Sequence, residues 1–305
     1  MTPLRIVYIG RHGQVGSSND DEGAVAYALR QLGHEVVCVP EQPARKVFDG
    51  PPADLCLFNK WSDWEAIRQI QCPKVFWYWD LVDYPKDPSL ARRCAQRRSW
   101  MQQATAIADL GFCTDGDWVA KDTTGKLHWL MQGFDERLQP AERTTEDIDI
   151  LLPCSVIKCG EGRARFVAAM KERWGPRVHH VEGGVHGKRL AELVARSKVV
   201  VCPDEPHGAR YWSNRLYLMS GLGGVIVHPL CVGFWPMSPD ALFAVQGVSY
   251  YIPGSNIRDD IAHLLEYHDA RIEGGQIARK DVLAHHLYRH RCEQLIQTVR
   301  DRLKI

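Results

Sequence analysis

Short apolar runs punctuated by glycine, proline and polar loops recur along this chain, and each is followed by a stretch with helical spacing. Arg5 to Ile9 is an apolar, β-branched run that predicts a buried strand, with Gly10, Gly13 and Gly16 in the loop after it. Glu22 to Leu32 has helical periodicity, with Ala24, Ala28 and Leu32 on one stripe and Gly33 as its stop. Glu35 to Val39 predicts the second strand, Ala53 to Asn59 the third, Cys72 to Trp79 the fourth and Asp109 to Thr114 the fifth. A helix is predicted over Ser89 to Gln103, and Asp115 is placed to cap a short one after it.

The same alternation starts again at Ile148 to Leu152. Helices are predicted over about Arg163 to Trp174 and Leu190 to Ser197, with a strand at Val178 to Glu182. The stretch Lys198 to Pro229 is the most regular of all. Val199 to Val201 is a strand, Ser213 or Asn214 caps a helix carrying Leu216, Leu218 and Met219, and Val225 to Val227 is the next strand. Short strands are expected near Phe243 and Tyr250, then helices over Arg258 to His268 and Gln276 to Lys304. Two runs of strand, loop, helix and strand predict two parallel-sheet α/β domains. The polar run Gln139 to Asp147 separates them, giving an N-terminal domain 1–138, a C-terminal domain 148–280 and a closing helix 281–305.

Composition narrows the class. With 305 residues, 45% hydrophobic and 25% charged, the chain has the makeup of a soluble globular protein large enough for two cores. A net charge of +1 gives no global attraction for a polyanion, so any such partner needs a local patch. Ten scattered cysteines form no disulfide framework, no apolar run reaches membrane-span length, and MTPLRIVYIG enters a strand directly. These features predict a cytoplasmic protein, or one in the cytoplasm of a host cell.

Chemistry concentrates where strands end, because ligands of parallel sheets bind at the carboxyl edge. Arg215 falls in the first turn of a predicted helix, a poor place for a cation unless an anion lies beside it; the plain alternative is a surface pair with Asp204 or Glu205. The loop after Leu152 carries Ser155, Lys158, Gly160, Arg163 and Arg165, a set suited to a diphosphate. His186 follows Gly183-Gly184 in a turn placed to approach a nucleotide base. Asp80 ends the fourth strand beside Trp77, Trp79 and Leu81, whose apolar surroundings are expected to raise its pKa toward that of a working general base. Asp83 is the alternative base, and either could instead cap the helix near Ser89. His12, Ser17, Ser18 and Glu22 lie in the first loop and helix, where the plain alternative is a cap at Ser18, Asn19 or Asp20, Asp20 above all. His285, His286, His290 and Cys292 lack the spacing of a zinc site and are read as structural; no metal is expected.

The run Ser213-Asn214-Arg215, together with ALRQLGHEVVCVP, LHWLMQGFD and the closing LYRHR, resembles the GT-B glycosyltransferases, in particular short bacterial and phage types related to spore-maturation-protein glycosyltransferases. Leu218 stands where that family usually has a ribose-binding glutamate. The resemblance implies two Rossmann-like domains facing across a cleft. The implied donor is a nucleotide sugar, a UDP-sugar, with no obligatory cofactor, held by Ser155, Lys158, Arg163, Arg165, His186, Ser213, Asn214 and Arg215. Asp80, with Glu22, is then catalytic, and displacement inverts the anomeric carbon. His12, Ser17, Ser18, Asp83, Arg93 and Arg97 become acceptor contacts.

Asp80-Leu81-Val82-Asp83-Tyr84-Pro85 also resembles the corresponding segment of phage DNA β-glucosyltransferase. Lys86, Arg92, Arg93, Arg97 and Arg98 stand against Asp87 alone over Lys86 to Ala106, a patch able to hold a phosphate backbone. Trp61, Trp64 and Trp100 are candidates for stacking on a flipped base. The expected acceptor is therefore a 5-hydroxymethylated pyrimidine in double-stranded DNA. The competing readings are an acceptor that is a glycan, protein or small molecule, a sugar-nucleotide epimerase, and a non-catalytic nucleotide-sugar-binding protein of the same fold.

Overall fold

The computed structural model describes residues 2–12, 20–41, 52–84, 86–143, 145–157, 160–203, 208–231, 245–252 and 257–305. The chain forms two compact units. The first comprises residues 1–83, 92–132 and 288–305, and the second residues 84–91 and 133–287.

The first unit is built on a six-stranded sheet of β1 (Arg5–Gly10), β2 (Glu35–Pro40), β3 (Leu55–Phe58), β4 (Lys74–Tyr78), β5 (Leu110–Cys113) and β6 (Leu127–Trp129). The strand order is β2-β1-β3-β4-β5-β6 and every pairing is parallel. Parallel strands are covered on both faces, so alternate residues must serve two cores. β3 shows this directly: Leu55 and Leu57 enter one core with Tyr8, Trp77 and Phe112, whereas Cys56 and Phe58 enter the other with Ile67, Phe76 and Met101. The first core is closed by α1 (Asp21–Gln31) and α10 (Tyr288–Leu303), through Val25, Leu29, Tyr288 and Leu295. The second is closed by α2 (Trp64–Gln69) and α3 (Ala91–Ile107). Asp20 caps α1 by accepting from the Gly23 N–H at 3.0 Å, and Gly33 follows the helix at φ +87°, where a side chain would be strained. Asp115 likewise caps α4 (Gly116–Val119), accepting from Trp118 N at 3.0 Å.

The second unit holds a five-stranded sheet of β7 (Ile148–Pro153), β8 (Val178–Val181), β9 (Ser197–Val201), β10 (Ile226–Pro229) and β11 (Ser249–Tyr251), in the order β11-β10-β9-β7-β8, again wholly parallel. Ile150, Leu152, Val199, Val201 and Val227 pack on Val167 and Met170 of α5 (Glu161–Trp174) and Ile261 of α8 (Arg258–Glu266). The other helices are α6 (Gly187–Ala195), α7 (Arg215–Gly221) and α9 (His268–His285).

Two elements differ from the sequence expectations. The helix expected over Gln276 to Lys304 is two helices, α9 and α10, parted at His286-Leu287. There the backbone turns aside to pair with another segment: Phe134 N donates to His286 O at 2.7 Å, and Phe134 bridges Leu287. α9 also starts eight residues early and runs through Gly274-Gly275, where a Cβ at Gly275 would sit 3.3 Å from Val225 Cγ2 and 3.4 Å from the Gly223 carbonyl oxygen. The helix expected from Ser89 begins at Ala91, after a 3₁₀ turn (Pro88–Leu90) capped by Asp87 rather than by Asp80 or Asp83. The strand expected near Phe243 lies outside the described residues.

Candidate functional sites at the carboxyl edges of the two sheets

In the first sheet, the carboxyl ends of neighbouring strands present His12 after β1, Cys38 in β2, Asn59 and Lys60 after β3, Asp80 after β4 and Asp115 after β5. Glu22, on the first turn of α1, reaches the same edge, accepting from Asn59 Nδ2 at 3.4 Å. Asp80 stands in a cationic setting. Lys60 Nζ donates to its carboxylate at 2.6 Å, and Arg97 Nη2 lies 3.5 Å away. This corrects the expected direction of its titration. Burial does push the Asp80 carboxyl up, but Lys60, Arg97 and Arg93 together hold it below the usual carboxylate range. The apolar neighbours Trp77 and Trp79 pack into the core against Tyr288 instead of enclosing the carboxylate. An ionised Asp80 is ready to accept a proton, with less driving force than a raised pKa would give it.

The loop behind Asp80 is held by a residue whose role in the site the sequence does not announce. Asp115 is 2% exposed and its carboxylate accepts from Val82 N at 2.8 Å as well as capping α4. Burial pushes its carboxyl up, and the backbone N–H groups of Val82 and Trp118 oppose that. Asp83 pairs with Arg98 at 2.6 Å, and Arg97 Nη1 donates to the Leu81 carbonyl at 2.7 Å. Arg97 and Arg98 are thus spent on the Asp80–Asp83 loop; Arg92 and Arg93 are the exposed arginines of α3. The tryptophans expected to stack on a base are packed. Trp61 is 4% exposed, while Trp100 stacks on Tyr78 at 5.1 Å, tilts against Trp64 at 5.7 Å and donates to the Trp61 carbonyl. Ser17 and Ser18 lie outside the described residues.

In the second sheet two arginines converge where β7 ends. Arg215 Nε donates to Pro153 O at 2.9 Å, and Arg163 Nη1 donates to Ser155 O at 3.3 Å. Arg163 is 5% exposed. Both guanidiniums also act on Cys202 at the end of β9: burial pushes that thiol up to about 12, with Arg215 and Arg163 opposing. The first turn of α7 thus tolerates Arg215 because a strand-end carbonyl and Ser213 Oγ, which accepts from Nη1 at 3.0 Å, take its donors. Asn214 occupies the N-cap position without a side-chain cap bond, whereas Ser213 Oγ accepts from the Arg215 N–H at 3.4 Å. Asp204 and Glu205 lie outside the described residues, as does Lys158.

The β7–α5 loop does not wait as an empty anion cradle. Glu182, at the end of β8, accepts from Ser155 Oγ and Val156 N at 2.9 Å and from Ile157 N at 3.1 Å. Although burial opposes it, these N–H and O–H donors, with His180, hold the Glu182 carboxyl below its ordinary value. At the start of α5 the carboxylate of Asp87 takes a corresponding place. Ser89, the backbone N–H groups of Gly162 and Glu161, and a Gly160 whose φ is +86° surround it, and a Cβ on that glycine would sit 2.3 Å from Asp87 Oδ2. Ser155 and the N–H groups of Val156 and Ile157 therefore serve the chain's own Glu182, while Asp87 Oδ2 is buried at the start of α5 without a hydrogen-bond partner among the described residues. A Glu two residues before Gly184, opposite a Ser in the facing loop, is the sequence signal for Glu182.

The remaining expectations separate from this cluster. Arg165 is on the outer surface, paired with Glu161 at 3.6 Å and with 71% of its side chain exposed. His186 stands at the start of α6, its imidazole pushed down by burial. Leu218 is 7% exposed and packed in the core. His286 stacks on Tyr217 at 5.0 Å and faces Asp281 at 3.6 Å, and Cys292 lies in the first core. Among the described residues no three His, Cys, Asp or Glu side chains gather as metal ligands, and no helix is long and apolar enough to cross a membrane.

No protein of curated function matches the chain by sequence. Among solved structures, an alpha-glucosyltransferase in complex with UDP-glucose and DNA containing an abasic site aligns over 98% of this chain and 100% of its own, at 10% identity and a TM-score of 0.65. HepE of Anabaena in complex with UDP aligns over 98% and 100%, at 13% identity and a TM-score of 0.60. A glycosyltransferase from Rickettsia africae covers 100% of both chains, at 10% identity and a TM-score of 0.59. Identities this low establish a shared GT-B fold of two parallel-sheet domains. A profile of the glycosyl transferase-like family, by contrast, matches the sequence itself over residues 137–297. That match spans just over half of the chain and takes in the whole Arg163–Arg215 cluster, so this protein belongs to the glycosyl transferase-like family.

Proposed function

We propose that this glycosyltransferase moves a sugar from a UDP-sugar to the hydroxymethyl group of a 5-hydroxymethylated pyrimidine in double-stranded DNA. The observation that carries the donor half is the convergence of Arg163 and Arg215 on the carboxyl end of β7. Two fixed guanidiniums at that edge match the charge that develops on a leaving diphosphate, and such preorganised stabilisation is commonly the largest catalytic contribution. UDP is proposed because HepE of Anabaena and the alpha-glucosyltransferase were both solved with a uridine nucleotide. In the first unit Asp80 takes the proton of the acceptor hydroxyl, and Lys60 holds the carboxylate in place. Direct displacement with Asp80 as base inverts the anomeric carbon. Glu22, at the same sheet edge, is the second carboxylate, and His12, Asp83, Arg93 and Arg97 surround the acceptor.

The DNA acceptor is supported by the alpha-glucosyltransferase, which was solved with DNA containing an abasic site and, in another complex, with a 13-mer carrying a hydroxymethyluracil base. One observation favours a second reading, in which the acceptor is a glycan, protein or small alcohol. Two of the four arginines of α3 are engaged with Leu81 and Asp83, so the basic patch is weaker than its composition suggests. Binding of defined duplexes across a salt series separates the two. Affinity for hydroxymethylated DNA that falls steeply with salt supports the DNA reading, and affinity indistinguishable from zero at low salt rejects it.

A further inference from the structure

At the edge of the first sheet, next to β1, three side chains meet that the sugar-transfer chemistry does not require together. Arg30 leaves the last turn of α1 and donates through Nη2 to Val36 O at 2.8 Å and to Cys38 Sγ at 3.3 Å. Its charge is thereby pinned on β2 beside the sulfur. His12 comes from the end of β1. Its Nε2 lies 2.9 Å from the Tyr8 carbonyl oxygen, and its ring is held edge-on to Tyr8 at 4.7 Å. A carbonyl can only accept, so Nε2 carries a hydrogen and Nδ1 is the nitrogen that gains or loses a proton. Nδ1 is buried without a conventional hydrogen-bond partner, and the thiol of Cys38 is the side chain with which the ring interacts most strongly.

The electrostatics agree with that arrangement. Burial pushes the Cys38 thiol up, but His12 and Arg30 outweigh it and hold the thiol below its ordinary value. Burial pulls the His12 imidazole down, whereas Cys38, the Tyr8 carbonyl and Glu22 raise it above its usual range. The Tyr8 phenol, pushed up chiefly by burial, also feels Glu22 and Cys38. The other cysteines with displaced thiols contrast with this one. Cys56, Cys113, Cys202 and Cys292 are buried and pushed up, and half-buried Cys72 moves the same way.

We propose that Cys38, flanked by His12 and Arg30, is a covalent modification site, a nucleophilic thiolate that reacts with hydrogen peroxide and with small alkylating electrophiles. With peroxide, the sulfur attacks one oxygen, an S–O bond forms and the O–O bond breaks. The departing hydroxide takes the proton of the His12 imidazolium and leaves as water. The sulfur is oxidised by two electrons to a sulfenic acid as the peroxide is reduced. His12 is shared with the proposed acceptor site, but the thiol chemistry itself needs neither donor nor acceptor.

The test treats the whole protein with limiting iodoacetamide, or with hydrogen peroxide followed by a sulfenic-acid trap, from pH 5 to pH 9, and locates the adducts by peptide mass spectrometry. At pH 6.5 Cys38 is expected to react at least about tenfold faster than every other cysteine, a difference on the order of one pKa unit in thiolate fraction. His12→Gln and Arg30→Gln are each expected to move the midpoint of the Cys38 profile up toward that of an ordinary thiol. Labelling of another cysteine first overturns the assignment, and so does an ordinary-thiol midpoint for Cys38 in the unsubstituted protein, a readout that needs no variant to fold.

Discussion

Arg215 Nε donates to the Pro153 carbonyl at 2.9 Å, which fixes a cation from the first turn of α7 on the end of the neighbouring central strand β7. Held there by the Pro153 carbonyl and by Ser213 Oγ, the guanidinium is fixed at the edge where the donor phosphates are proposed to bind. We expect Arg215→Ala to weaken UDP-sugar binding by about 1.5–3 kcal/mol, the range for a hydrogen bond to a charged group. Arg215→Lys should recover little of this, because a lysine cannot serve the carbonyl and a phosphate with one planar fork. Calorimetry with UDP and a UDP-sugar checks it; unchanged affinity removes Arg215 from the phosphate site.

Asp80→Asn should leave donor binding intact and lower turnover at least ~100-fold, the low end for loss of a general base. The pH dependence follows from the same residue. Its folded pKa is depressed, so the carboxylate is ionised throughout the neutral range and Asp80 contributes no acid limb to the rate between pH 5 and pH 7. The stability that Lys60 and Arg97 confer through it is present above the unfolded carboxylate pKa and is lost as pH falls through the folded one. A rate profile that drops near pH 6 in the wild type but not in Asp83→Asn would shift the base to Asp83.

Glu182→Gln removes the charge from the carboxylate that gathers Ser155, Val156 and Ile157. Discounted for a side chain that is 39% exposed, the expected loss is about 1 kcal/mol. The Glu182 carboxyl is depressed, so this contribution is present above the unfolded glutamate pKa and disappears as pH falls through the folded one. Urea unfolding of both proteins at pH 7 and at successively lower pH should show a gap at pH 7 that shrinks once the pH falls below the unfolded glutamate pKa.

Asp115→Ala should lower both stability and turnover, since the buried carboxylate joins Val82 N to the start of α4. Leaving those donors unsatisfied costs about 1–3 kcal/mol. If melting falls while turnover per folded molecule is unchanged, the Leu81–Asp83 segment does not depend on Asp115 for the geometry of Asp80.

The strands were legible because parallel sheets bury both faces, so Val199 to Val201 or Leu55 to Phe58 read as unbroken apolar runs. Caps at Asp20 and Asp115 were legible because a carboxylate before a helix has a local partner two or three residues on. What escaped depends on contacts distant in sequence. The break between α9 and α10 is made by Phe134, some 150 residues earlier in the chain, a pairing that periodicity cannot register. Asp80 was expected in apolar surroundings because its sequence neighbours are tryptophans. Those side chains turn into the core, and the carboxylate meets Lys60 and Arg97 from other elements. The diphosphate loop was read from its glycine and basic residues, whereas Glu182, which takes its Ser155, Val156 and Ile157 donors, and Asp87, which packs against Gly160, come from separate parts of the chain.

The most direct measurement is sugar transfer itself. Labelled UDP-glucose, UDP-galactose and UDP-N-acetylglucosamine are offered with duplexes containing 5-hydroxymethylcytosine, 5-hydroxymethyluracil or unmodified bases, using wild-type protein, Asp80→Asn and Arg215→Ala. The prediction is label in hydroxymethylated DNA alone, from one of these donors, and its loss in both variants. Label in no DNA, with transfer to a glycan or small alcohol that both variants abolish, would contradict the DNA acceptor and leave the transferase standing. Transfer undiminished in both variants would contradict the assignment of Asp80 and Arg215 as the base and the phosphate clamp.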